Sequence, residues 1–139
     1  MKRQLLRTQA FTLTELLLVV AILAIMAALV LPRFSGVTER TNITAAKTQI
    51  STFAMACDRY EIDVGSYPKT LEALVVQPAD VQNWSGPYLS KGIPKDPWGN
   101  AYLYEYPGKN NQYGPDISSA GPDGKPGTED DIKNWDDKK

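Results

Sequence analysis

Four carboxylates stand close together near the C-terminal end of the chain. Asp123, Glu129, Asp130 and Asp131 fall within Gly121-Pro-Asp-Gly-Lys-Pro-Gly-Thr-Glu-Asp-Asp131. Glycine and proline shape this segment into a tight loop. Carboxylates held so close repel one another, and a divalent cation relieves that repulsion. Ca²⁺ takes about six to eight oxygen ligands from carboxylates and backbone carbonyls. The segment lacks the D-x-[DN]-x-[DN]-G-x₅-E pattern of an EF-hand. A solvated acidic turn and a cation loop therefore both stand as readings of these residues.

The second residue with chemistry to explain is Glu15. From Phe11 to Pro32 it is the only charge, and a wholly apolar run, Leu16 to Leu31, follows it at once. A carboxylate at the centre of a bilayer costs about 2.5–3.5 kcal/mol on insertion scales, and less near the edge. No Lys or Arg lies within one helical turn after it, so the pattern calls for positive charge from elsewhere. Other chemistry is sparse. The 139 residues include no histidine and one cysteine, Cys57. That excludes a Ser-His-Asp triad, an internal disulfide and a cysteine metal cluster. There is no GxSxG, GxGxxG or P-loop, so no enzyme is expected.

The elements that must position these residues follow from patterning. Three of the 15 basic residues, Lys2, Arg3 and Arg7, lie in a short leader, Met1 to Ala10, which leaves 12 against 16 acidic residues. No basic surface suggests nucleic acid. The apolar run fits a secretory signal poorly, since Pro32-Arg33-Phe34 follows it in place of an A-x-A-like site. A plain signal anchor accounts for the basic leader by the positive-inside rule. A leader cut between Ala10 and Phe11 accounts for Glu15 as well. Cleavage creates an α-amine on Phe11, with an intrinsic pKa of about 7.7–8.0. That amine, on a neighbouring copy shifted along the membrane, neutralises the carboxylate.

Pro32 and Gly36 mark the join between the apolar half and a polar half, with a kink or a helix end expected at the proline. Beyond it, Ile43, Ala46, Ile50, Phe53, Cys57, Tyr60 and Val64 follow one another at intervals of three and four. That spacing draws one apolar stripe on a helix. Thr44, Lys47, Thr48, Ser51, Asp58 and Glu61 take the opposite face. Cys57 then reads as a buried small hydrophobe. Gly65-Ser66-Tyr67-Pro68 ends the helix. Thr70 is a cap for a short helix through Leu71, Leu74 and Val75. Residues 77–100, with their prolines, glycines and aromatics, read as an ordered irregular loop. Tyr102, Tyr104 and Tyr106 alternate within a strand over 101–106, and 107–111 is a turn. A second strand is expected over 113–119 and a third over 132–135.

Phe11-Thr-Leu-Thr-Glu15, followed by LLLVVAILAIMAALVLP, resembles the class III signal of type IV pilins and type II secretion pseudopilins. In that family a prepilin peptidase cuts before the Phe and methylates its amine, and the Glu guides assembly. Ala10 stands where Gly is usual, and Thr14 where an aliphatic residue is common. The segments SYPKTLEALV, GPYLSKGIPKDPWGNAYLYEYPG and DISSAGPDGKPGTEDDI narrow the resemblance to the major pseudopilins of type II secretion systems. A single cysteine cannot close the C-terminal disulfide loop usual in type IV pilins proper.

The resemblance implies an α+β, pilin-like fold. A long N-terminal helix, membrane half plus amphipathic half, packs on a small antiparallel sheet. The implied organisation is a cleaved leader over 1–10, a filament-core helix over 11–35 and a periplasmic domain over 36–139. It also implies calcium in the acidic loop. Asp123 matches the family's first aspartate ligand, Asp130 or Asp131 the later one, and the carbonyl of Ala120 a backbone ligand. Thr128 offers a further oxygen. The implied function is the major structural subunit of a pseudopilus in the bacterial inner membrane. It would polymerise as a helical homo-oligomer with minor pseudopilins and an inner-membrane platform, to help export folded proteins. A minor pseudopilin or type IV pilin, and a monomeric membrane-tethered calcium module, are the alternatives.

Overall fold

The computed structural model describes residues 11–135. It contains one long helix, α1, Leu13–Val64; a 3-10 helix, Leu71–Leu74; and strands β1, Leu103–Glu105, β2, Asp116–Ser119, and β3, Ile132–Lys133. The chain divides into two compact units, Met1–Thr38 and Glu39–Lys139. The leader, with Ala10, lies outside the described residues.

In the first unit α1 begins at a reciprocal cap. The Thr12 backbone N–H and hydroxyl both donate to Glu15 Oε2 at 3.0 Å, and the Glu15 N–H donates to the Thr12 hydroxyl at 3.2 Å. This is the capping box, in which a Thr and a Glu three residues on satisfy each other's exposed donors. Beyond it the side chains from Leu16 to Ala28 are exposed on every face of the helix. Among the described residues no helix is long and apolar enough to cross a membrane. The described side chains of the apolar run stop at Ala28, short of the roughly 20 residues a span needs. Pro32 does not end α1, which continues through it.

The second unit is built on the expected stripe. Ala46, Ile50, Phe53, Cys57 and Tyr60 are buried, and Ile43 and Val64 pack on them from the margins. Across from them lie Leu71 and Leu74 of the 3-10 helix, Leu89, Tyr102, and Ile117 and Ile132 of the sheet. The Phe53 ring meets Tyr102 edge to face, with centroids 5.0 Å apart at 81°. Fully burying a side chain of this size contributes about 1.5–3 kcal/mol. Thr44, Thr48 and Thr52 hydroxyls each donate to the carbonyl four residues back at 2.9 Å, satisfying themselves on the helix surface. Burial pushes the Cys57 thiol up to about 12, so it packs and does not react.

The sheet has the order β1-β2-β3, antiparallel throughout. Leu103 pairs with Ser118 and Glu105 with Asp116; Ser118 pairs with Lys133 and Ser119 with Ile132. All three strands are shorter than the sequence suggested, β3 ending at Lys133. Tyr102 is buried against Phe53 ahead of β1, and Pro107, with no N–H to give, follows just beyond it. Tyr113, 85% exposed, lies outside β2. The helix after Thr70 is a single 3-10 turn, and Thr70 makes no side-chain cap bond. The irregular loop is ordered by its aromatics, as expected. Trp84 Nε1 donates to the Ala73 carbonyl at 2.8 Å, and Tyr88 stacks edge-on between Trp84 and Tyr60.

Candidate functional site

The structure brings the acidic-loop residues together around one hydroxyl. Thr128 Oγ1 lies 2.6 Å from Asp130 Oδ1, 3.4 Å from Asp123 Oδ1 and 3.5 Å from Asp131 Oδ1. The hydroxyl has one proton to give, and the shortest contact identifies Asp130 as its acceptor. Backbone donors hold the carboxylates in place. The Asp123 N–H donates to Asp130 Oδ2 at 3.1 Å, the Lys125 N–H to Asp123 Oδ1 at 2.8 Å, and the Gly127 N–H to Asp131 Oδ2 at 2.8 Å. The Thr128 hydroxyl, and then the Asp123 N–H, keep the Asp130 carboxyl below the usual carboxylate range. Lys133 Nζ stands 3.7 Å from Asp131 Oδ2.

Gly121 makes the loop possible. Its φ of +65° is in the left-handed region, and a Cβ there would fall on the Asp130 carbonyl. The two ends of the loop therefore cross at backbone contact. Ala120, the expected carbonyl ligand, is buried just before the crossing. Glu129 is exposed and belongs to a groove with Glu39, Lys47 and Lys133. Among the described residues no three Asp, Glu, Cys or His side chains are placed to hold a metal by themselves. A cation here must draw on hydroxyl and carbonyl oxygens as well. The donor set suits a hard cation: it is all oxygen, and three carboxylates point at one hydroxyl.

Two buried carboxylates that the motif analysis did not single out hold neighbouring turns, Asp96 beside the loop and Asp116 at the other end of β2. Asp96, 4% exposed, accepts from the Trp98 and Asn100 N–H groups at 3.1 and 2.7 Å and from the Ser119 hydroxyl at 2.6 Å. Asp116, 6% exposed, accepts from the backbone N–H groups of Lys109, Asn110 and Asn111 and from the Asn110 side chain, at 2.8–2.9 Å. Burial pushes the Asp116 carboxyl up, but these donors outweigh it and hold it below the usual range. The Asp-Pro-Trp-Gly-Asn run is an Asx-turn signal that could have found Asp96. Asp116 carries no local signal.

The N-terminal candidate is equally explicit. Phe11 is 85% exposed beside the capping box. Glu15 has a local partner that charge reasoning missed, although Thr-x-x-Glu is itself the capping signature.

An exposed apolar helix start, continued by a stripe packed on a small antiparallel sheet, defines a pilin-like subunit. The crystal structure of the major pseudopilin from the type 2 secretion system of enterohaemorrhagic Escherichia coli matches this chain with a TM-score of 0.64. The match has 34% identity and covers 72% of this chain and 87% of that one. The model of the type II secretion system protein G family matches residues 33–135. The type II secretion system core protein G of Pseudomonas aeruginosa is 43% identical over 135 residues, covering 91% of this chain and 94% of the relative. That of Escherichia coli K12 is 39% identical over 135 residues, covering 93% and 92%. The chain belongs to the type II secretion system protein G family.

Proposed function

We propose that this chain is the major structural subunit of a type II secretion pseudopilus, anchored in the bacterial inner membrane with its C-terminal domain in the periplasm. The observation that carries the proposal is the exposure of Leu13, Leu16–Val20, Ile22, Leu23, Ile25 and Met26, each at 48% or more in the single chain. A helix apolar all round is covered by lipid or by other helices. The family assignment supports other copies of the chain as the cover in the filament, and the membrane before assembly.

In this account a prepilin peptidase removes residues 1–10 and methylates the new Phe11 amine. Thr12 holds Glu15 by Oε2 alone. The other oxygen, Oε1, receives the Phe11 amine of a neighbouring copy, so assembly satisfies both charges in an apolar surround. Minor pseudopilins and the inner-membrane platform are the further partners, and filament growth helps move folded proteins across the outer membrane. Ca²⁺ is the cation of the acidic loop, where it neutralises clustered carboxylates. Asp123, Thr128, Asp130 and the Ala120 carbonyl would hold it. Asp131 is the alternative to Asp130 as the later carboxylate, since each already has donors: the Thr128 hydroxyl and the Asp123 N–H for Asp130, the Gly127 N–H and Lys133 for Asp131.

Amine-reactive crosslinking of membranes from cells making the protein tests the filament role. A ladder of multimers of this chain is expected. Monomer alone at every crosslinker dose overturns the reading and leaves a tethered calcium module.

A further inference from the structure

The Asp-Pro-Trp-Gly-Asn turn and the acidic loop are joined twice. Asp96 Oδ2 accepts the Ser119 hydroxyl proton at 2.6 Å, and the Ser119 oxygen in turn accepts the Gly121 N–H at 3.2 Å. Ser119 is fully buried, and Gly121 is the residue that lies against the Asp130 backbone. The second join is steric. The Asn100 N–H is held by Asp96, and a Cβ at Gly124 would stand 3.3 Å from the Asn100 side-chain nitrogen. Asn100 therefore packs under the tip of the loop. The Asp96 carboxylate accepts from Trp98, Asn100 and Ser119, and both joins lead back to it.

We infer that Asp96 and Ser119 are positioning residues for the acidic loop and set its affinity for Ca²⁺. The inference rests on the calcium reading above and deepens it. The relay fixes the Gly121 N–H, and with it the point where the loop's two ends cross. That crossing places Asp123 and Asp130 about the Thr128 hydroxyl. Partners that orient metal ligands from behind change affinity by about 10- to 100-fold when removed. Ser119→Ala deletes the bridge and leaves the Gly121 N–H and Asp96 Oδ2 buried without their partner. Asp96→Asn keeps an acceptor for Trp98 and Asn100 but places an NH₂ group opposite the Ser119 hydroxyl.

The test is calorimetric titration of Ca²⁺ into the full chain in detergent, with melting curves in chelator and amide hydrogen exchange over 119–131. Ser119→Ala should raise the Ca²⁺ Kd about tenfold or more and speed exchange over 121–131. Asp96→Asn should do the same, and it carries the test if Ser119→Ala does not fold. Tyr67→Phe, which breaks a bond to Asp58 on the helix, should leave Kd unchanged. A merely structural role would lower the melting temperature in chelator while Kd stays at the parent value, and that result overturns the inference. A parent chain that binds no Ca²⁺ overturns the calcium reading and the affinity claim together. Exchange then decides whether the relay positions the loop: faster exchange in Ser119→Ala supports it, and unchanged exchange overturns it.

Discussion

Glu15 has two separable tasks in this account, and one substitution separates them. Its carboxylate caps α1 through Thr12, with two bonds of 3.0 Å to Oε2. It also supplies the charge for a neighbour's Phe11 amine. Glu15→Gln keeps a side-chain oxygen for the cap, since Gln serves in a capping box as Glu does. It removes only the charge. The amine of the neighbour is then left unpaired among apolar side chains, which costs about 3–5 kcal/mol. At 1.4 kcal/mol per factor of ten, the subunit concentration needed for assembly should rise by about two to four orders of magnitude. Thr12→Ala does the reverse: it loses the cap, at about 0.5–2 kcal/mol, and keeps the charge. The assay is the fraction of protein recovered in sheared, sedimented filaments at matched expression. Thr12→Ala should still assemble, and Glu15→Gln should remain in the membrane fraction. The unit Glu39–Lys139 should melt as in the parent in both variants, because it contains neither residue. Filaments from Glu15→Gln at the parent yield would refute the charge pairing and leave the cap as the only role for Glu15.

Three further outcomes follow from the second unit. If Ca²⁺ binds only the folded chain, it should add about 2.7 kcal/mol at one hundred times its Kd, or about 10–20 °C in Tm for a unit of roughly this size; Asp123→Ala should abolish most of that gain, and equal Tm in calcium and chelator would leave only an acidic turn. Phe53→Ala should cost about 3–5 kcal/mol in denaturant unfolding, because the ring is fully buried against Tyr102; a loss under about 1 kcal/mol would refute the packing assigned to the stripe. The Asp116 carboxyl is held below its ordinary value, so its contribution is present above the unfolded pKa and is lost as pH falls through the lower folded value. Acid unfolding should therefore show a destabilising step below about pH 3.9, and that step should be absent in Asp116→Asn.

Much of the second unit was legible because one period governs it. The three-and-four spacing from Ile43 to Val64 needs only a single sheet to cover it, and each of those residues packs in or against the core. The strands were located but overextended. Alternating tyrosines mark a pleated face, yet where pairing starts depends on the partner strand, and Tyr102 spends its ring on Phe53 ahead of β1. Proximity of the acidic-loop residues was legible from glycine and proline placement. The relay behind them was not, since Asp96 and Ser119 are 23 residues apart and no local pattern joins them. The Glu15 cap is local and is written in Thr-x-x-Glu itself.

The central claim is that Phe11 opens the mature chain and brings its amine to a neighbour's Glu15. Mass spectrometry of the protein extracted from bacterial membranes tests it most directly. The account predicts a chain beginning at Phe11 and carrying one added methyl group on its amine. An intact Met1 start, or a cut beyond Leu31, would contradict it.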